Sequence, residues 1–281
     1  MIKYKIFHVT TAGALLLGVF SLSSAFADPK GAKCAGLPDH ATLTTVLQGV
    51  VGFDNTGLAH DMWATVVNRD GQVCVVTFSG ADRGAQWPGS RVISAQKANT
   101  ANAFSLPAGA GGLFPGLALS TANLWAATQP GGSLFGLQFS NPVDTAVAYG
   151  GPSHDGGKAE AYGMPNDPLV GRFVGGVNVF GGGLGLYDAD GNLLGGLGLS
   201  GDTSCSDHNQ AWKVRDGLGL DNVPAGLSGV GGDNIIFDLV DDFGDNPESP
   251  SGFGHPTCLN DFGEKAAAAL LPIDFPIGPN P

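Results

Sequence analysis

Charge is scarce in this sequence. Only 14% of its 281 residues are charged, with 13 Lys and Arg against 25 Asp and Glu, for a net charge of −12. That balance argues against nucleic acid or an anionic membrane surface as a main partner. No apolar run reaches the ~18 residues of a membrane span, so no transmembrane segment is expected. No Cys-x-x-Cys-His occurs, which excludes c-type attachment of a prosthetic group. The 46 glycines keep no three-residue period, which excludes a collagen-like chain. They cluster at 109–116, 175–185 and 226–232, read as loops and close-packed strands.

The chain starts like an export signal. Lys3 and Lys5 form a positive region, residues 12–22 are apolar but short, and Ala25-Phe26-Ala27 is a cleavage pattern. Residues 1–27 are therefore expected to be a signal peptide, making the protein periplasmic or secreted. Losing Lys3 and Lys5 takes the net charge from −12 to −14. So thin a charged surface on an exported chain points to self-association as a homo-oligomer. The four cysteines form an even set, which in an exported chain reads as two disulfides with three connectivities. The favoured one is Cys34 with Cys74 and Cys205 with Cys258.

Two β-rich stretches meet at Asp70-Gly71, and a second pair turns at Asp190-Gly191. Asp-Gly favours a type I′ hairpin turn, so both aspartates read as turn residues rather than acid–base groups. A helix is expected over residues 43–51. Another begins at Pro88-Gly89-Ser90, with Ser90 as cap. In it Ser94, Ala98, Ala101 and Ser105 share one face. Such a small-residue stripe lets a helix lie close to a sheet, and a Gly-rich strand would allow that closeness from the other side. Residues 106–172 are loop-rich, with a short helix near 121–127. Residues 207–217 look helical, and a Gly/Pro/Asp-rich tail follows.

Several constellations could carry chemistry. Ser94 and Lys97 form a Ser-x-x-Lys pattern, in which a desolvated lysine accepts the serine proton. This gives a serine hydrolase as an alternative reading, but the companion Lys-Thr-Gly is missing. Arg83, Gln86, Trp87 and Arg91 bracket the loop before the central helix, an aromatic among cations suited to a planar anionic ligand. His40, at the start of the first helix, and His208, near Trp212, are the histidines best placed to ligate iron. Cys205 and His208 are spaced like half a metal site, with no second pair, so no structural metal is assigned. The run Asp238, Asp241, Asp242, Asp245 and Glu248 does not follow calcium-loop spacing and reads as a solvated loop.

The order of these parts resembles the GlcG/HbpS-like family. A V-x-x-RDG-x-V hairpin precedes SAQKANTANAF; GGVNVFGGGLGLYDADGNLLGGLGLSGD follows, then Asp207-His208 and a helix. The likeness runs from about residue 43 to 220. It implies an α/β (α+β), three-layer, profilin-like fold whose antiparallel sheet of about five strands is flanked by helices. It places a core domain at 28–221, with an insertion at about 106–172 and an extension at 222–281. It implies an oligomeric protein that binds heme or a related tetrapyrrole without turnover, in heme capture or redox sensing. Of this chain's own residues, His208 and His40 are the candidate ligands, Arg83 and Arg91 would suit the propionates, and Trp87 is the aromatic that would receive the planar ligand. A structural oligomer without ligand is the remaining alternative.

Overall fold

The computed structural model describes residues 33–150, 159–227, 232–241, 248–258 and 260–278. The expected signal peptide lies outside them, as do Asp242 and Asp245 of the acidic run. The main elements are α1 (His40–Phe53), β1 (Trp63–Asn68), β2 (Val73–Phe78), α2 (Ser90–Ala103), β3 (Gly183–Tyr187), β4 (Leu193–Ser200), α3 (Ser204–Gly217) and α4 (Glu264–Asp274). Short helical turns, including Ala122–Leu124 and Trp125–Thr128, lie between α2 and β3.

Two hairpins of one design build the sheet. Gly71 N–H donates to the Asn68 carbonyl and Gly191 N–H to that of Asp188, each at 2.9 Å. The Asn68 side chain accepts from Asp70 and Gln72 N–H, and the Asp188 side chain accepts from Asp190 and Asn192 N–H in the same pattern. Only the glycine of each Asp-Gly pair has positive φ, 82° at Gly71 and 74° at Gly191. A type I′ turn needs positive φ at both central residues. These are instead four-residue turns completed by a left-handed glycine and a bulge, and the strand register shifts beside each turn. The hairpins join through β1 and β4, giving the antiparallel order β2-β1-β4-β3.

The sheet has four strands rather than five. Among the described residues the stretch nearest to a fifth, 173–180, forms no ladder, its strand-type pairings being the isolated bridges Gln72 to Phe173 and Val143 to Gly175. Gly175 (φ 66°) and Gly176 (φ 80°) turn the chain out of the extended conformation there.

Side-chain alternation sorts the layers. Leu184, Leu186, Leu197 and Leu199 face one side with Ala64 and Val66, packing with Leu43 and Leu47 of α1 and Trp212 and Val214 of α3. Gly183, Gly185, Gly196 and Gly198 alternate with those leucines and leave room for α2 on the other face. A Cβ at Gly198 would run into the Ser94 carbonyl, and one at Gly196 into that of Ala98. Ser94, Ala98, Ala101 and Ser105 are fully buried, so the expected stripe is where helix and sheet meet. Gly198→Ala is expected to cost about 1–3 kcal/mol, because only backbone can yield there; chemical denaturation checks it. At the start of α2, Gly89 occupies the cap position with no side-chain cap, and Ser90 is the first helical residue, not the expected cap. Asp39 caps α1, its carboxylate accepting from Thr42 N–H at 2.8 Å.

Disulfides join Cys34 to Cys74 and Cys205 to Cys258, the favoured pairing. Among the described residues no helix is long and apolar enough to cross a membrane. The scarce charges are spent inward: Arg91–Asp167, Lys97–Asp207 and Arg215–Asp233 are buried ion pairs. Each links a helix packed on the sheet to a residue distant in sequence.

Candidate functional site: a cleft at the sheet edge

The outer edge of β2 is only partly covered. Val73 N–H donates to the Arg172 carbonyl (2.9 Å) and Gly171 N–H to the Val73 carbonyl (2.8 Å), so the end of the 106–172 segment borders the strand. Between this segment, the start of α1 and the Cys34–Cys74 disulfide lies a cleft of about 740 Å³. That volume falls within the usual range of small-molecule sites, about 300–1,000 Å³. Leu37, Val73, Val75, Val76 and Val170 give it apolar lining.

Its polar groups come from separate segments. His40, half-buried, lines the cleft, and its Nε2 lies 2.7 Å from the Gly163 carbonyl oxygen. A ring N–H donated to a backbone carbonyl fixes the orientation of an imidazole and leaves the other nitrogen as the base. Met164 and Arg172, both exposed, line the same cleft, and Arg172 has no ion-pair partner among the described residues. Gln72 donates through Nε2 to the Gly171 carbonyl (2.8 Å). Its Oε1 is buried without a partner, an unmet acceptor on the wall. Asp167, on the same wall, accepts from Gly163 N–H (2.6 Å), Leu169 N–H (2.8 Å) and Arg91 Nε (2.8 Å), which holds the loop carrying Met164 in place.

The other expected site residues lie elsewhere. His208 is fully buried under the C-terminal extension, its Nε2 3.0 Å from Asn234 Oδ1 and 3.1 Å from the Ile235 backbone N. Loss of hydration pushes its pKa down to about 4. The unfolded chain therefore takes up a proton between about pH 6.5 and 4 that the folded chain refuses, and His208 loses the fold stability as pH falls through that window. The gap in unfolding free energy between wild type and His208→Gln is accordingly expected to narrow by up to about 3 kcal/mol from pH 7 to pH 4. A gap independent of pH would contradict this. Asp207 works in the opposite sense: burial raises its pKa to about 6, so its ionisation costs the fold stability as pH rises from 3.8 to about 6.

Ser94 and Lys97 are both completely buried. Ser94 Oγ donates to the Arg91 carbonyl (2.8 Å) and lies 2.7 Å from Thr65 Oγ1. Lys97 Nζ donates to Asp207 (2.5 Å) and to the Leu199 carbonyl (3.0 Å). Both side chains are thus buried among the described residues, and the lysine is committed to a carboxylate rather than to Ser94. Arg83 and Arg91 line a different cavity, where Arg91 is held by Asp167. Trp87 packs edge-on against His60, ring centroids 4.9 Å apart. In the acidic run, Asp238 accepts from Ser249 Oγ and Ser251 N–H.

Met164, Arg172 and Gln72 escaped the sequence reading. Met164-Pro165-Asn166-Asp167-Pro168 signals only a turn, and Gln72 only a strand entry. The cleft exists only once the 106–172 segment returns to the edge of β2.

Fold and cleft define a three-layer α/β domain with a ligand-sized cleft at its sheet edge. The chain matches the family described as haem degrading protein HbpS-like over residues 55–215. That span is more than half the chain, and the protein belongs to this family. Similar solved structures include the Klebsiella pneumoniae protein ORFY, 19% identical, with 64% of this chain and 90% of that one covered and a TM-score of 0.40. A PduOC:heme complex is 21% identical over 63% of this chain and 89% of that one, with a TM-score of 0.40. A double mutant of Streptomyces reticuli HbpS is 14% identical over 73% of this chain and 97% of that one, with a TM-score of 0.35. No curated protein matches the chain.

Proposed function

We propose that this is an exported heme-binding protein that takes heme or a related tetrapyrrole in the cleft beside β2, in heme capture or redox sensing and without turnover. The observation that carries the reading is one cleft lined by an imidazole (His40), a thioether (Met164), a cation (Arg172) and the partly exposed Leu37 and Val170, in a chain of the HbpS-like family. Imidazole and thioether are both axial ligands of heme iron. A guanidinium on the rim suits a propionate, and Leu37 and Val170, both partly exposed in the cleft, suit the porphyrin face. His40 would hold the iron, its orientation set by the Gly163 carbonyl; Met164 would offer a second donor, and Arg172 would anchor a propionate. Bound heme would supply redox-active iron, while the chain binds and orients it and keeps water from its apolar face.

Export is supported by the signal-like start and by two disulfides, which persist in oxidising compartments. Self-association is supported by the apolar groove between α1 and α4, beside which Phe53, Leu270 and Ile273 are exposed. Titrating the mature protein with hemin tests the reading: a saturable Soret shift is expected, lost or displaced in His40→Ala and retained in Arg83→Ala. No shift would favour a structural oligomer without ligand.

A further inference from the structure

The two disulfides differ in their surroundings. Cys34 and Cys74 are both half-buried, and both line the cleft beside β2 together with His40. A small thiol entering the cleft therefore meets this bridge. Cys205, by contrast, is 1% exposed and packs in the main core. Cys258 Sγ accepts from Cys205 N–H at 3.1 Å and lies 3.4 Å from Ser204 Oγ, so the start of α3 holds it against its partner. Thr203 Oγ1 donates to Glu264 Oε1 (2.6 Å) and Asn209 Nδ2 to the Glu264 carbonyl (2.9 Å), which ties α3 to α4 independently of sulfur. Two thiols kept face to face re-form their bridge faster than an external thiol traps them.

The Cys34–Cys74 bridge holds something smaller. Cys34 lies in a short turn, in which Leu37 N–H donates to the Cys34 carbonyl at 3.2 Å. Pro38 and the capping residue Asp39 follow, then His40 at the first position of α1. Cys34, Leu37 and Pro38 form one wall of the cleft, and Cys74 belongs to β2. The bridge thus pins to the sheet the turn that leads into the candidate iron ligand. Asn68 Nδ2 also donates to the Lys33 carbonyl at 3.1 Å, a single neutral bond too weak to fix the wall alone. Helix α1 itself is held without sulfur, by Leu43 and Leu47 in the core. Opening the bridge frees the wall and leaves the helix in place.

We propose that the Cys34–Cys74 bridge is a thiol-exchange site through which a dithiol reductant opens the cleft and weakens its hold on heme. The consequence for heme rests on the function proposed above; the exchange itself does not. One thiolate of the dithiol attacks a sulfur of the bridge and displaces the other cysteine as thiolate. The second thiol of the dithiol then attacks the mixed disulfide and releases the remaining cysteine. Two electrons pass from the dithiol to the bridge, its two protons end on Cys34 and Cys74, and the dithiol leaves as its own disulfide. The partly exposed bridge is the one that exchanges, because the attacking thiolate needs access to sulfur.

The test treats the folded mature protein with dithiothreitol, blocks the thiols that form with iodoacetamide and reads the modified peptides by mass spectrometry. Alkylation of Cys34 and Cys74 is expected about tenfold or more ahead of Cys205 and Cys258. Amide hydrogen exchange at residues 34–39 should rise in the reduced protein, with α3 unchanged. Hemin affinity should fall about tenfold in the double variant Cys34→Ser, Cys74→Ser, which leaves no thiol in the cleft to ligate iron. Far-UV circular dichroism verifies its fold, and reduced, alkylated wild type gives the same comparison without a substitution. Alkylation of both pairs together or in the reverse order, or unchanged exchange at 34–39, overturns the proposal. Equal hemin affinity with and without the bridge also overturns it and leaves the heme reading standing. No hemin binding in wild type overturns the heme reading, while alkylation and amide exchange still decide the bridge.

Discussion

Replacing Asp207 with alanine is expected to cost about 3–5 kcal/mol of stability, the usual effect of removing one partner from a buried ion pair. Lys97 Nζ, with no solvent exposure, lies 2.5 Å from Asp207 Oδ2, and burial already holds the ammonium below its usual lysine pKa. Asp207 Oδ1 accepts from Gly201 and Asp202 N–H at 3.1 and 2.9 Å. Alanine would leave a desolvated cation and two backbone donors unmet at the meeting point of α2, β4 and α3. The loss comes from the uncompensated charge more than from the attraction itself. The double variant Lys97→Met, Asp207→Asn is therefore expected to recover much of it. Urea unfolding midpoints of the single and double variants check this. A loss under about 1 kcal/mol in Asp207→Ala would mean that the pair does not hold the helices together.

The second large effect belongs to the Cys205–Cys258 bridge. It closes a separation of 53 residues, and in the chain-entropy account a loop of that length restricts the unfolded state by about 4 kcal/mol. Cys205 lies in the first turn of α3, inside the main core. The extension it tethers also carries Asp233, paired with Arg215, and Asn234, bonded to the Asn123 side chain. The double variant Cys205→Ser, Cys258→Ser is expected to lose roughly that stability and to expose the extension to proteolysis ahead of the core. Melting temperatures equal to wild type, with an uncleaved extension, would contradict this.

The architectural half of the molecule was legible because its signals are local. Both hairpins announce themselves by Asp-Gly between β-rich runs, and only the turn type differs, because Asp70 and Asp190 keep negative φ. The Gly/Leu alternation of β3 and β4 and the stripe from Ser94 to Ser105 are two halves of one close contact, each visible at its own period. What was not legible depends on residues distant in sequence. Nothing near Lys97 discloses that its partner is Asp207, and without that partner Ser-x-x-Lys looks like chemistry. Nothing near His208 discloses that Asn234 and Ile235 cover it. His40 stands out as a histidine at a helix start, but its site also needs Val73–Val76 and the 164–172 segment, brought together only by the fold. The fifth strand fails for a local reason that composition hides: Gly175 and Gly176 look like close-packing glycines, yet both adopt left-handed conformations.

The heme reading places the ligand at His40 and not at His208, although both are candidate imidazoles in the sequence. One measurement separates these positions: the absorbance of the mature protein titrated with hemin, compared among wild type, His40→Ala and His208→Gln. A saturable Soret shift that His40→Ala abolishes or displaces, and that His208→Gln retains, is the predicted result. No shift in wild type, or a shift indifferent to His40 and lost with His208, would contradict the account.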